Sequence, residues 1–507
     1  MKPSTTSRII TLAAFASSLT GTALAATATI DVKTTRQVVR GFGTCSAWNG
    51  TLTNAEGTLL WDTVQGAGLS LHRVMIERAG TPDINEQRNA KLARSFGSTV
   101  WGTPWYSQRA TRVAGKDYDT LAEANMQTWA NDLVAGLKTM KAQGTPLYAI
   151  SPQNESDLGW VKYDAKAMAL WVGKYLGPTV AAQVPETKVM GSETCNWWGF
   201  GGYEPVLMAD ANVKKYASII STHLYGGTMK AYPNIQQAGK EFWQTEIYDS
   251  KTDFEDTGMV SGLRIASMIH EGMTIANFNA WHFWWVKPCK DCWNGALWAQ
   301  TTNRPTKRMW VMGNFSRFAR PGFVRIEATP KPTNGVLVSA YRDSALSRIV
   351  LVAINSNSTP TSQEFSIPGI DAAKMTPWIT DATRNIVAQS SQVLTSTLFR
   401  YDLPPSSVTT IVVEPKNPTG IATAGFRTGF PDVRFRGDAL EVSGVLTREA
   451  PIRLELLDIQ GRSMVSVAFR AGSAPSLVPL PGLRRGAYVA KLRLGDETLL
   501  VRSLLKN

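Results

Sequence analysis

The sequence predicts an α/β protein: a (β/α)8 TIM barrel with an attached β-sandwich side domain and a small all-β C-terminal module. Three observations carry this expectation. Strand-like apolar segments alternate with helical periodicities eight times between about Val38 and about Phe315, a span suited to a (β/α)8 barrel. From Val324 the pattern changes to short alternating strands, as in a sandwich. Past Glu414 the composition shifts again: all 17 Trp and all 4 Cys precede it, and the remainder is rich in Arg, Leu and Val.

The first segment, 1–25, has the make-up of a secretory signal peptide. Lys2 and Arg8 give a positive start, Ile9 to Leu24 is apolar and small, and Ala23-Leu24-Ala25 is an A-x-A cleavage site. The expected product is secreted, at the cell exterior or the bacterial cell surface. No later stretch is long and apolar enough to span a bilayer. Residues 26–37 contain the strand Ala28-Thr29-Ile30-Asp31-Val32, expected to join the sandwich.

Residues 38–323 form the expected barrel. Its strands are Val38 to Gly43, Leu69 to Ile76, Ser98 to Trp101, Leu147 to Ser151, Val189 to Gly191, Ile219 to Leu224, Glu241 to Thr245 and Ala276 to Trp284. Between them lie helices such as Thr120 to Gln143, where apolar positions recur at three and four and Gly144 supplies a stop, Asp164 to Leu176, and Gly262 to Glu271. A doubly wound dinucleotide sheet is the rival, but no G-x-G-x-x-G follows the first strand. The sandwich is expected over 324–414, with strands at Val336 to Ala340, Ile349 to Ile354 and Val408 to Val413. A Pro- and Gly-bearing linker fills 415–425, and the all-β module 426–507 follows, with strict alternation in Ile452-Arg453-Leu454-Glu455-Leu456.

The formal charge of +13 bears on association rather than fold. No basic run interleaved with aromatics marks a nucleic-acid groove, so an acidic polysaccharide or an anionic cell surface suits it better. A monomer is expected. Four Cys in an exported chain permit disulfides. Cys289 and Cys292 could close a tight loop, leaving Cys45 and Cys195 to pair. The rival, half a zinc site at Cys289-x-x-Cys292, finds no second Cys-x-x-Cys and only 4 His in the chain.

The chemistry concentrates at two strand ends. Leu147-Tyr148-Ala149-Ile150 is apolar, Ser151 and Pro152 end the ladder, and Asn154 and Glu155 follow at the lip. Glu241 to Thr245 ends the same way at Glu246. The C-terminal mouth of a parallel barrel is where catalytic groups gather, and two carboxylates there point to glycoside hydrolysis. Either Glu alone would more often be merely solvated. One carboxyl must hold a proton to act as acid while the other stays ionised. Spacing in sequence does not distinguish retention from inversion. Asn154 has the amide geometry to bond a sugar 2-hydroxyl. Trp48, Trp101, Trp105, Tyr225, Tyr248 and Trp281 fall at or past strand ends, where rings stack on sugar faces; each singly could be core. Arg73 could orient a carboxylate or make a buried ion pair, and His223 and His282 could tune the site without metal-ligand spacing.

Gly41-Phe42-Gly43, Pro152-Gln153-Asn154-Glu155, His223-Leu224-Tyr225-Gly226 and Trp243-Gln244-Thr245-Glu246 resemble glycoside hydrolase family 30. The stretches from Lys307 to Phe318 and from Arg320 to Ile326 look like its xylanase branch, and the resemblance covers about 28 to 414. It implies a secreted retaining endo-β-1,4-xylanase without a cofactor or metal, acting on xylan or a related plant cell-wall polysaccharide. Glu155 is the implied acid/base and Glu246 the implied nucleophile. Trp48, Trp105, Tyr225 and Trp281 approximately match aromatic positions around the family's cleft, and with Asn154 they are the expected substrate-binding residues. The branch commonly reads a glucuronosyl side chain through an Arg and a Tyr after strand eight. Here Trp284-Trp285-Val286-Lys287-Pro288-Cys289 has no such Arg, and Lys287 offers a charge without a bidentate fork. Ile247 and Asp249 also depart from the pattern. A xylanase with no strict glucuronate requirement is therefore expected; the alternatives are a glucuronoxylan-specific xylanase, a β-1,6-glucanase, or a non-catalytic polysaccharide-binding surface protein. The last module, through Leu456-Leu457-Asp458-Ile459-Gln460-Gly461-Arg462 and Gly486-Ala487-Tyr488-Val489, resembles type IX secretion sorting domains. A carbohydrate-binding module is its rival, disfavoured by the lack of Trp.

Overall fold

The structure, a computed structural model, describes residues 26–249, 258–288, 295–299, 302–416 and separate stretches between 432 and 506. The signal-like segment, Cys289 and Cys292, and the linker from 417 lie outside the described residues.

Eight parallel strands close into a barrel. They are β1 Gly41–Cys45, β2 Leu71–Ile76, β3 Thr99–Pro104, β4 Ala149–Ile150, β5 Lys188–Met190, β6 Ala217–Tyr225, β7 Glu241–Gln244 and β8 Ala280–Phe283. Each pairs with the next in sequence, and β8 closes on β1 with Ala280 opposite Gly41. Alternate side chains point inward, so Leu71, Trp101, Ala149, Met190, Ile219, Trp243 and Ala280 fill the interior. Trp101 Nε1 donates to His282 Nε2 across this plug at 3.0 Å. The alternate residues pack against the surrounding helices, which supply most of the core.

Two strands start three or more residues later than the sequence periodicity predicts. Val38 ends the N-terminal strand instead of opening β1, which begins at Gly41, a position with φ 141° that suits glycine. The helix Met259–Glu271 continues as a π turn over Gly272–Ala276 and stops at Asn277 in the left-handed conformation, so β8 starts at Ala280. The helix Glu123–Ala142 buries Met126, Trp129, Leu133, Leu137 and Met140, the predicted three-and-four spacing.

The strand Ala28–Val38 runs antiparallel to Val324–Ala328 and parallel to Thr361–Ser366, which makes it part of the sandwich sheet. Its alternation puts Ala28, Ile30 and Val32 inward, into a core with Ile349, Leu351, Phe365 and Ile411. The last barrel helix, Lys307–Ser316, joins the two bodies. Asn314 Nδ2 donates to Thr410 Oγ1 at 3.1 Å, and the Thr410 hydroxyl donates to Asn314 O at 2.6 Å.

The C-terminal segment contains a three-stranded and a four-stranded antiparallel sheet. Leu454 and Leu456, on alternate positions of Ile452–Asp458, are buried with Tyr488 and Leu492.

Candidate active site

The C-terminal ends of the barrel strands surround a cleft of ≈ 540 Å³ lined by Trp48, Trp105, Asn154, Glu155, Leu158, Trp160, Cys195, Asn196, Tyr225, Glu246, Tyr248 and Trp284. Glu155 stands at φ 48°, a left-handed conformation uncommon for a side-chain-bearing residue and typical of functional turns. The Asn154 backbone N–H donates to Pro104 O at 2.9 Å, and Gln153 Nε2 donates to Trp105 O at 3.0 Å, so the turn hangs on the end of β3.

Arg73 organises the floor. Its side chain is fully buried, with Nη1 donating to Glu246 Oε2 at 2.5 Å and Nη2 to Asn154 Oδ1 at 2.6 Å. The same Nη2 lies 2.8 Å from Glu193 Oε1, and Nε donates to Thr103 Oγ1 at 3.2 Å. The guanidinium also stacks under Trp105, 4.3 Å from the ring centroid. Arg73 thus fills both roles suggested by its position, orienting Glu246 and pairing with Glu193. Glu193 was not legible as a site residue: a lone Glu past a short strand carries no signal, and its importance follows only from the Arg73 contact.

His223 sits between the carboxylates, with Nδ1 3.4 Å from Glu155 Oε1 and Nε2 3.3 Å from Glu193 Oε1 and 3.7 Å from Glu246 Oε2. Tyr225 donates its hydroxyl to Glu246 Oε1 at 3.0 Å. One oxygen each of Glu155 and Glu246 and a nitrogen of His223 lie within 4.8 Å of one another. Such a triad could ligate a cation. Here Glu246 Oε2 is already bonded to the fixed positive charge of Arg73, which repels a second cation.

Burial pushes Glu193 up, but the Arg73 charge and the His223 contacts outweigh it and hold the carboxyl at about 2. Burial pushes the His223 imidazole down, yet Glu246, Cys195, Glu155 and Glu193 together hold it well above its ordinary value. Burial likewise raises Glu155, and the His223 contact outweighs it, leaving Glu155 below its ordinary value. Burial raises Glu246 above its ordinary value against the pull of His223 and Arg73. The last two directions run opposite to a raised acid and a lowered nucleophile. Geometry accounts for part of this, because His223 Nδ1 stands 3.4 Å from Glu155 Oε1 and a protonated imidazole there favours the Glu155 anion. With the proton on the imidazole the two form an ion pair; with it on Glu155 each group is uncharged. Glu246, by contrast, faces two donors that favour its ionised form, Arg73 and Tyr225.

Trp48 stands 48% exposed at φ 60°, its ring centroid 6.0 Å from those of Trp105, Trp160 and Trp284. Trp160 stacks on Tyr106 at 4.8 Å. Of the expected binding residues, Trp48, Trp105, Asn154 and Tyr225 lie in the cleft wall. Trp281 does not: it points outward from β8 and is fully buried against the helix layer, near Gly272. The period of two explains the error, since Ala280 and His282 face inward and Trp281 and Phe283 outward. Trp284, just past the strand, lines the cleft instead. Trp101 is likewise interior plug rather than cleft wall.

Cys45 and Cys195 are both free thiols, which corrects the expected pairing. Cys45 ends β1 and Cys195 follows β5, on opposite sides of an eight-stranded barrel. Lys287 is engaged rather than offered to substrate. Its ammonium pairs with Glu56, its N–H donates to Asn49 Oδ1 at 3.0 Å, and its carbonyl accepts from Asn49 Nδ2 at 2.8 Å.

Paired carboxylates in an aromatic-walled cleft at the mouth of a (β/α)8 barrel define a carbohydrate-cleaving class of site. No protein-family model matches the chain. A glycoside hydrolase family 30 subfamily 8 xylanase, Xyn30A from Clostridium acetobutylicum, superposes with TM-score 0.68 at 30% identity, covering 76% of this chain and 99% of that one. A GH30 endoxylanase from Clostridium papyrosolvens gives TM-score 0.68 at 29% identity, covering 76% of this chain and 100% of that one. Glucuronoxylanase XynC of Bacillus subtilis is 29% identical over 415 residues, 78% of this chain and 93% of that protein. The chain belongs to glycoside hydrolase family 30.

Proposed function

We propose that the protein is a secreted, retaining endo-β-1,4-xylanase that cleaves internal bonds of xylan without a strict need for a glucuronate side chain. The observation that carries this is that one oxygen of Glu155 and one of Glu246 lie within 4.8 Å of each other, beneath aromatic walls. Retaining glycosidases hold their carboxyls about 5–5.5 Å apart, against about 6.5–9.5 Å where a water must fit between. In this reading Glu246, oriented by Arg73 and Tyr225, attacks the anomeric carbon. Glu155 gives its proton to the glycosidic oxygen and then takes one from the water that releases the sugar. Asn154, with Oδ1 held by Arg73, offers its amide N–H to a sugar 2-hydroxyl. No step draws on a cofactor.

The xylanases among the structural relatives support the substrate. The engagement of Lys287 by Glu56 supports the relaxed decoration requirement, because that ammonium is already neutralised. The signal-like start supports export, and we assign the C-terminal module to sorting at the outer membrane.

Hydrolysis of glucuronoxylan and arabinoxylan, with Glu155→Gln and Glu246→Gln as controls, tests the whole reading. Similar oligosaccharide ladders from both polymers are expected, with each variant slower by about 10³-fold or more. NMR of the first-formed reducing ends should show the β-anomer. Turnover of glucuronoxylan alone would overturn the relaxed requirement, α-anomer first would overturn retention, and inactivity on both polymers would overturn the xylanase.

A further inference from the structure

We propose that Trp198 is a binding platform for a sugar ring on the leaving-group side of the cleft, a placement that rests on Glu155 being the acid. Trp197 and Trp198 open the helix Trp197–Ala209 and take opposite fates. Trp197 is 2% exposed and packs with Phe200, Tyr232, Phe242 and Phe278. Trp198 is 71% exposed, more than any other large hydrophobic residue near the cleft. Water disfavours so much bare indole, and a ring of that size left open beside a sugar cleft suits stacking.

Its position is fixed by two features. Gly226, directly after cleft-lining Tyr225, makes room for it: a Cβ there would sit 2.9 Å from Trp198 Nε1. Gly226 also needs its φ of 63° at that turn. The segment leading into the helix of Trp198 is clipped to the turn carrying Glu155 through Asp157, whose carboxylate accepts from Cys195 N at 2.6 Å and Asn196 N at 3.3 Å. Leu158, 57% exposed and in the cleft wall, continues the same rim from Glu155. The oxygen protonated by Glu155 belongs to the departing chain, so rings beyond it leave over this rim. A neutral β-linked xylose chain, with its apolar ring faces, is the ligand the surface takes.

Comparing wild type and Trp198→Ala, in the full chain, on xylan, xylohexaose and β-xylobiosyl fluoride tests the platform. The fluoride is activated and its leaving group is one atom, so it cannot reach Trp198. Covering roughly 60 Å² of indole is worth about tenfold. We expect kcat/KM to fall about that much on xylan and xylohexaose, mostly through KM, with the fluoride unchanged and Trp198→Tyr restoring most of the loss. An equal loss on all three substrates would assign Trp198 a structural role, and no loss on xylan would remove it from binding; either overturns the platform while leaving the xylanase intact. A wild type that hydrolyses the fluoride but not xylan overturns the xylanase reading, and the platform with it.

Discussion

Replacing Glu193 by Gln removes a fully buried negative charge that Arg73 Nη2 contacts at 2.8 Å and Thr103 Oγ1 meets at 3.0 Å. The folded carboxyl stands at about 2 against an ordinary 4.5. That difference corresponds to about 3 kcal/mol of stability at neutral pH. The side chain has no exposure, so solvent screening does not discount the figure. The sign follows from the depressed value: the contribution is complete above pH 4.5 and is lost as the pH falls through about 2. At pH 3 less than half of it, about 1 kcal/mol, should remain. Urea unfolding of wild type and Glu193→Gln, read at pH 7 and pH 3 with unchanged m, measures both gaps. A gap that stays constant across this range would mean that Gln fails by shape rather than charge. A gap below about 1 kcal/mol at pH 7 would refute the buried ion pair as a stabilising element.

Three further outcomes follow. Burial holds His72 and His282 at about 3 and His270 at about 4, while it raises Glu86 to about 7. Between pH 5 and 6 the unfolded chain therefore binds three more protons on these histidines and one fewer on Glu86, and stability should fall by up to roughly 3 kcal/mol per unit as the pH drops; a flat urea midpoint from pH 7 to 5 contradicts this. Trp281→Ala should cost about 3–5 kcal/mol of stability and leave KM for xylan unchanged at temperatures where the variant is folded, because the indole is buried behind the barrel wall; a selective rise in KM would return Trp281 to the cleft. Lys287→Met should lower stability by at most about 1 kcal/mol and leave the ratio of activities on glucuronoxylan and arabinoxylan unchanged; a selective loss on glucuronoxylan would show that the ammonium reads the acid.

The barrel was legible because its strands are apolar and its helices keep their period over many residues, as in Glu123–Ala142. The two strand-end glutamates were legible because Pro152 and the polar residues after Trp243 mark where each ladder stops. What the period of two decides was harder to read when an aromatic run crosses the end of a strand. In Ala280–Phe283 and the residues after it, three Trp lie within five positions, and a one-residue change in register exchanges core for cleft. Trp197 and Trp198 pose the same problem at a helix start. Glu193 and the engagement of Lys287 depend on contacts between distant loops, and no local pattern encodes those. The thiols were misjudged for the same reason, since pairing depends on the place of a strand around the closed ring.

The strand Ala28–Val38 has a consequence for how the chain reaches this state. It is synthesised ahead of the barrel, yet its partners Val324–Ala328 and Thr361–Ser366 emerge some three hundred residues later. Until then a segment with Ala28, Ile30 and Val32 on one face has no sheet to enter. Such pairing adds long-range contacts that slow folding and couples the beginning of the chain to its middle. Barrel and sandwich should therefore form as one cooperative body. A fragment cut between residues 323 and 324 would orphan the first strand, so the catalytic body is best expressed as 26–416 undivided.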